Sequence, residues 1–236
     1  MSNLTQQAVN LAQAIGEASA TQLHPLGELA VTNDGRKYRY AKNGAVATVA
    51  GSLYMSKVAV AHHTNMAVAT TAAGSYTVSV TLGATAVTAN EYRGGYLVIN
   101  AGTGVGYTYC IASHPAALGN AAVVLTLEDP IAVATSVANS KGSLAYHPYE
   151  GVIASVNTAK PVGIANYVIP ANYYAWFQTG GVCAGLNKSN TAVNLGLASS
   201  TTSGAMETVA ATTKEVANAL IAGADGECRQ VFLTLE

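Results

Sequence analysis

Charged side chains are scarce in this chain: of its 236 residues only 11 are Lys or Arg and 12 are Asp or Glu, so charged residues make up 10% of the sequence. An average soluble domain carries roughly 25%. A lone monomer with so few charges has little protection against association. We therefore expect much of the surface to be buried against other subunits.

The chain also lacks a basic surface of the kind that binds nucleic acid. Its formal net charge is −1, and phosphate binding requires clustered Lys and Arg. The densest cationic cluster is Arg36-Lys37-Tyr38-Arg39-Tyr40, which fits the flank of a polar hairpin better. We expect no nucleic-acid partner.

Cysteine is rare, and no segment has the features of a membrane span or a secretory signal. The three cysteines, Cys110, Cys183 and Cys228, are odd in number and lack C-x-x-C spacing, which argues against a disulfide framework. No apolar run reaches the roughly 18 residues of a spanning helix, and the N-terminus has no basic region followed by an apolar core. These absences predict a soluble protein made in a reducing cytoplasm, with no membrane partner.

Sequence motifs of catalysis are missing as well. The chain contains no G-x-S-x-G and no H-E-x-x-H. The adjacent pair His62-His63 would point to opposite faces of a strand and could not chelate one ion. The glycines of Gly102–Gly106 precede a β-prone segment rather than a helix, which indicates a hairpin turn. We expect no enzyme activity, no catalytic residue, no metal site and no cofactor.

What the sequence does contain is a series of short β-prone segments separated by turn residues. The clearest is SYTVSVTL at 75–82, where Tyr76, Val78, Val80 and Leu82 alternate with Ser and Thr. Five further segments are expected to be strands: AVATT, TAVTA, GYLVINAG, GYTYCIASH and AAVVLTLED. Strands at this spacing without intervening helices predict an all-β fold of antiparallel sandwich or barrel modules.

Composition divides the chain into four parts. Residues 1–55 are predicted to form an extended N-terminal arm with a short helix at about 5–14 and a hairpin turning at Asn33-Asp34-Gly35. Residues 56–138 form a first β module, and 161–236 form a second. The Ser-, Asn-, Gly- and Pro-containing stretch at 139–160 is expected to connect them.

The only tryptophan lies in the predicted strand that follows Pro170. Tyr174, Trp176 and Gln178 share one face of this strand, and Phe177 lies on the other. Since both faces carry aromatic side chains, we expect the strand to be covered on both sides. Four residues are predicted to pack the core of the C-terminal module: Tyr174, Trp176, Phe177 and Phe232.

Two stretches combine packing residues with turn residues in a recognisable order. They are GRKYRYAKNGAVATVAGSLY at 35–54 and PVGIANYVIPANYYAWFQTGGVCAGLN at 161–187, the second followed at a distance by GECRQVFLTLE. These patterns resemble the decoration, or cement, proteins of tailed-phage heads, particularly those of marine and environmental phages. The stretches and their connections span most of the chain.

The resemblance implies a structural virion protein on the outer surface of the head, made in the host bacterial cytoplasm. Its partners would be the major capsid protein, stabilised at capsomer junctions, and other copies of itself in a homotrimer. Arg36, Lys37, Tyr38, Arg39 and Tyr40 are expected to contact the capsid or a sister subunit. A receptor- or glycan-binding fibre or spike module of a phage particle is the alternative function.

Overall fold

The chain forms two compact units in a computed structural model that describes residues 13–210 and 213–236. The barrel unit comprises residues 58–147. The sheet unit comprises the described parts of 1–57 and 148–236. In sequence, the barrel unit is therefore an insertion between two parts of the sheet unit.

The described residues are all-β, with one turn of 3₁₀ helix at Ala61–His63. Their strands in chain order are β1 (Leu29–Val31), β2 (Lys37–Lys42), β3 (Leu53–Met55), β4 (Met66–Val68), β5 (Thr77–Thr81), β6 (Tyr96–Ala101), β7 (Thr108–Ser113), β8 (Ala122–Leu127), β9 (Lys141–Ala145), β10 (Ile153–Ala154), β11 (Pro161–Ile164), β12 (Tyr174–Leu186), β13 (Gly196–Ser199), β14 (Met206–Thr208), β15 (Glu215–Ala219) and β16 (Cys228–Thr234). This confirms the predicted all-β class.

Six antiparallel strands close the barrel unit in the order β4-β5-β8-β7-β6-β9, with β9 pairing back onto β4. Strands β6, β7 and β8 form a meander, and β8 returns beside β5, which is a Greek-key connection. The glycine-rich segment 102–106 makes the turn between β6 and β7, as predicted, with positive φ at three of its glycines.

Alternation of side chains fills the barrel with apolar groups. Val78 and Val80 of β5 point inward while Thr77 and Thr81 remain exposed. Tyr76, predicted to share the inner face, is instead 55% exposed because it precedes the strand. The barrel core comprises Met66, Val68, Val78, Val80, Leu82, Val87, Tyr92, Leu97, Ile99, Tyr109, Ile111, Val123, Leu125, Leu127, Ile131 and Leu144. Small barrels are filled in this way.

The sheet unit is one curled antiparallel sheet. Its main path runs β10-β3-β11-β12-β16-β15-β13-β14, and the hairpin of β1 and β2 joins it through pairing of β2 with β12. The first half of β12 pairs with β2, and its second half pairs with β16. Strand β12 is thus the element that holds the N-terminal and C-terminal parts of the unit together.

Several predicted boundaries differ from those of the structure. Strand β12 runs through Gly180 and Gly181 to Leu186, and TAVTA contributes a single bridge at Val87 rather than a strand. Residues 141–145, assigned to a connection, form the strand that closes the barrel. The predicted helix at 5–14 lies almost entirely outside the described residues.

The prediction of an extended N-terminal arm at residues 1–55 is wrong over the part of it that the structure describes. Strands β2 and β3 pair within the same sheet as β12, rather than extending from it. The hairpin predicted at Asn33-Asp34-Gly35 is confirmed, with Gly35 at a φ of 84°. The hairpin exists as predicted, but it belongs to the sheet unit.

Candidate interaction surface

The five residues predicted to contact a partner are separated by strand alternation. Tyr38 and Tyr40 are 1% and 0% exposed, so their assignment to a contact surface is wrong. Strand β2 pairs with β12, which places Tyr40 directly opposite Trp176 and turns both tyrosines into the core. Lys37 and Arg39 alternate with the tyrosines and keep partly exposed side chains on the opposite face of β2. Arg36 precedes the strand, and its guanidinium lies over the Tyr38 ring, 5.9 Å from the ring centroid.

Trp176 is the centre of an aromatic cluster. Its ring centroid lies 5.0 Å from those of both Tyr40 and His24. The indole Nε1 donates a hydrogen bond of 3.1 Å to the main-chain oxygen of Gln13, and the Tyr40 hydroxyl donates one of 2.6 Å to the Gln13 side chain. The segment from Gln13 to His24 therefore covers this face of β12.

The opposite face of β12 is covered as well. Phe177 is fully buried, and its ring meets that of Tyr54 edge-on at a centroid distance of 5.5 Å. Trp176 and Phe177 therefore pack in separate clusters on the two sides of one strand. The prediction that this strand is covered on both sides is confirmed.

Phe232 is not a core residue, contrary to the sequence-based assignment. In β16 the side chains of Val231 and Leu233 are buried, so that of Phe232 points outward and is 44% exposed. Its Cα partner on β12 is Val182, which is 47% exposed. Two large apolar side chains thus lie side by side on the outside of the sheet.

This exposed pair continues across the neighbouring strands. Val31 of β1 pairs with Lys37 of β2, and Lys37 pairs with Gly180 of β12. On β16, Thr234 pairs with Gly180, and Phe232, two residues earlier, pairs with Val182. Directly opposed residues share a face of a sheet. Val31, Lys37, Gly180, Val182 and Phe232 thus form one surface, which we call the outer stripe.

A cleft of about 470 Å³ lies along the outer stripe, between the β1–β2 turn and the end of β16. A side chain at Gly181 would place its Cβ 3.0 Å from Cγ of Arg36, and the φ of Gly181 is 82°. The β2–β12 register also shifts between Gln178 and Gly180. This irregularity, together with the absence of a side chain, lets the turn approach β12 closely.

Ion pairs hold most of the charges around the cleft. Nε of Arg36 lies 2.7 Å from Asp34, and Nε of Arg39 lies 2.6 Å from Glu236. The hydrogen bond from Thr32 to Asp34 lowers the pKa of this carboxyl group, and Arg36 acts in the same direction. Among the described residues the salt bridges include none to Lys37.

In the barrel unit, sequence reasoning missed a buried polar cluster. His63 and His114 are 0% and 4% exposed. Because Nε2 of His63 faces the Thr85 carbonyl at 3.0 Å, it must donate, and Nδ1 accepts from Tyr92, 2.7 Å away. Burial raises the pKa of Tyr92 to about 12. A histidine beside a strand gives no sequence signal of such burial.

His114 has the other tautomer. Its Nδ1 lies 2.8 Å from the Pro115 carbonyl and donates to it, while Nε2 accepts from the backbone N–H of Tyr92 at 3.0 Å. Both ring nitrogens of each histidine are thereby satisfied by protein groups. The cluster is explained by packing of the barrel end and leaves neither ring with a free nitrogen.

Residues 13–210 and 213–236 contain neither a metal-binding cluster nor a membrane-spanning helix. They contain no group of three or more His, Cys, Asp or Glu side chains placed to hold a metal ion. They also contain no helix long and apolar enough to cross a membrane.

Comparison of the chain with models of protein families, with curated proteins and with solved structures finds no match.

Proposed function

We propose that this chain is a structural subunit of a tailed-phage particle that binds the outer surface of the head and stabilises the lattice of major capsid protein at capsomer junctions. The resemblance of residues 35–54 and 161–187 to cement proteins supports the phage head as the place of binding, and the outer stripe supports a protein contact. Exposed apolar side chains on the outside of a sheet, next to arginine and lysine, have the composition of protein interfaces.

Low charge supports the same function. Only 10% of the residues are charged, and the outward-facing side chains of β5 and β8 are small and uncharged: Thr77, Ser79, Thr81, Ala122, Val124 and Thr126. The interior of the barrel is occupied by apolar side chains. Because side chains fill the interior of the barrel, this unit is expected to bind partners through its outer surface, as a subunit of an assembly does.

The proposal is tested by mixing the purified chain with isolated heads and, separately, with isolated tails of the phage that encodes it. We expect the chain to sediment with heads and to raise the temperature at which they release packaged DNA. Sedimentation with tails alone would contradict the proposal and would favour a receptor- or glycan-binding module.

A further inference from the structure

We infer that the outer stripe binds an acidic segment of the major capsid protein that presents an apolar side chain, an inference that rests on the proposed function. Two independent features of the stripe define this partner. One is the balance of charge around the cleft, and the other is the pair of exposed apolar side chains beside it. A docking segment that satisfies both is acidic and has an apolar anchor.

The balance of charge favours an acidic partner. Arg36 and Arg39 are each paired with a carboxylate, Asp34 and Glu236 respectively. Lys37 is the remaining cation, and it lines the cleft together with Arg36. Counted over these side chains alone, the group has three cations and two carboxylates, and the salt bridges of the described residues include none to Lys37. A carboxylate of the partner would complete the pairing.

The apolar part of the stripe supplies the anchor site. Phe232 and Val182 both line the cleft and are both nearly half exposed. An apolar side chain placed against them would remove this surface from water. Aromatic residues and arginine are the side chains that dominate binding energy in protein interfaces, and here they lie within one cleft.

The same geometry disfavours a nucleic acid. Nucleic-acid surfaces neutralise several phosphates with clustered cations, whereas two of the three cations here, Arg36 and Arg39, are already paired with Asp34 and Glu236. A carboxylate-bearing segment needs only one unpaired cation and an apolar surface. The observations therefore favour a protein segment.

The test compares two variants, Lys37→Glu and Phe232→Ser, with two matched controls, Lys160→Glu and Val168→Ser. All four positions have exposed or partly exposed side chains, so each variant is expected to fold, as checked by circular dichroism and Trp176 fluorescence. Binding to isolated heads is measured by co-sedimentation. We expect each stripe variant to bind at least tenfold more weakly than the wild type, and each control to bind equally well.

Salt provides a second measurement. Because exposed charges are screened at high ionic strength, wild-type binding should weaken as sodium chloride rises, and Phe232→Ser should show the same dependence at lower affinity. Lys37→Glu places a negative charge against the acidic segment, so its residual binding should not weaken with salt and should strengthen where the two charges repel.

Three outcomes would overturn the inference. If the wild type binds heads and both stripe variants bind equally well, the stripe is not the contact and the proposed function stands. If the variants lose self-association in analytical ultracentrifugation but still bind heads, the stripe joins copies of the chain. If the wild type does not bind heads, the proposed function fails together with the inference.

Discussion

Trp176 and Gln13 are joined by a hydrogen bond from the indole Nε1 to the main-chain oxygen, across 163 positions of sequence. The Gln13 side chain also accepts from the hydroxyl of Tyr40 and donates to the carbonyl of Tyr174. A residue before the first strand thus satisfies polar groups of two later strands, which makes the described segment that begins at Gln13 part of the folded sheet unit.

Gln13→Ala should therefore destabilise the sheet unit. The substitution removes the acceptor of the Tyr40 hydroxyl, whereas the Tyr174 carbonyl still accepts from the N–H of Ser19. Loss of the partner of one buried polar group costs about 1–3 kcal/mol in the free energy of unfolding. Urea denaturation followed by Trp176 fluorescence measures the change. Gln230→Ala, on the exposed side of β16, is the control, and equal stability of the two variants would contradict the role of Gln13.

Gly181→Ala should destabilise the protein for two reasons. A non-glycine residue at a φ of 82° is strained, at a cost of about 1–2 kcal/mol, and the new Cβ would contact Arg36 and displace the β1–β2 turn. Thermal unfolding measures the combined loss of stability as a decrease in melting temperature. Gly16→Ala, whose Cβ would meet no atom within 4 Å, should leave the melting temperature nearly unchanged; a similar loss in both would refute the explanation.

His114→Ala should weaken the barrel unit. The backbone N–H of Tyr92 would lose its acceptor inside the protein, which costs about 1–3 kcal/mol. Since the only tryptophan lies in the sheet unit, hydrogen exchange of amides in β6 and β7 is the suitable measurement. His62→Ala changes an exposed histidine and should not alter this exchange. Unchanged exchange in His114→Ala would rule out the structural role of its ring.

The three cysteines should react with iodoacetamide at different rates. Burial raises the pKa of Cys183 to about 12 and that of Cys110 to about 11, and only the thiolate reacts. At pH 8 the exposed Cys228 should be alkylated first and Cys183 last, as measured by mass spectrometry. In denaturant the three rates should converge. Alkylation of Cys183 as fast as Cys228 in the folded protein would contradict its burial.

Alkaline pH should destabilise the fold through the same thiol. Because the pKa of Cys183 is raised from 9.0 to about 12, folding favours the neutral form. This contribution is complete below pH 9 and is lost as pH rises through about 12. Cys183→Ala should show a smaller decrease in stability over this range than the wild type, in urea denaturation at each pH. Identical decreases would exclude Cys183 as a cause.

Local patterns predicted the parts of the fold that depend on neighbouring residues. Alternation in 75–82 located β5, and Asp34-Gly35 located the first hairpin. The strand containing Trp176 was predicted to be covered on both faces because both carry aromatic side chains. These features follow from side-chain period and turn chemistry, which are visible in a short window.

The features that the sequence did not predict depend on pairing between strands far apart in the chain. The burial of Tyr38 and Tyr40 depends on the pairing of β2 with β12, more than 130 positions apart in the sequence. The exposure of Phe232 depends on which face of β16 meets the core, and the strand 141–145 closes the barrel although its Lys, Gly and Ser resemble a linker. Of the outer stripe, only Lys37 was predicted as a contact residue, and its apolar side chains were not.

The copy number of the chain in purified virions tests the central proposal most directly. Quantitative mass spectrometry with labelled peptides gives its ratio to the major capsid protein. A subunit that binds a repeating site of the shell must follow the symmetry of that shell, so we predict a fixed stoichiometric ratio that is retained when tails are removed. Only a few copies per particle, lost together with the tails, would contradict the account.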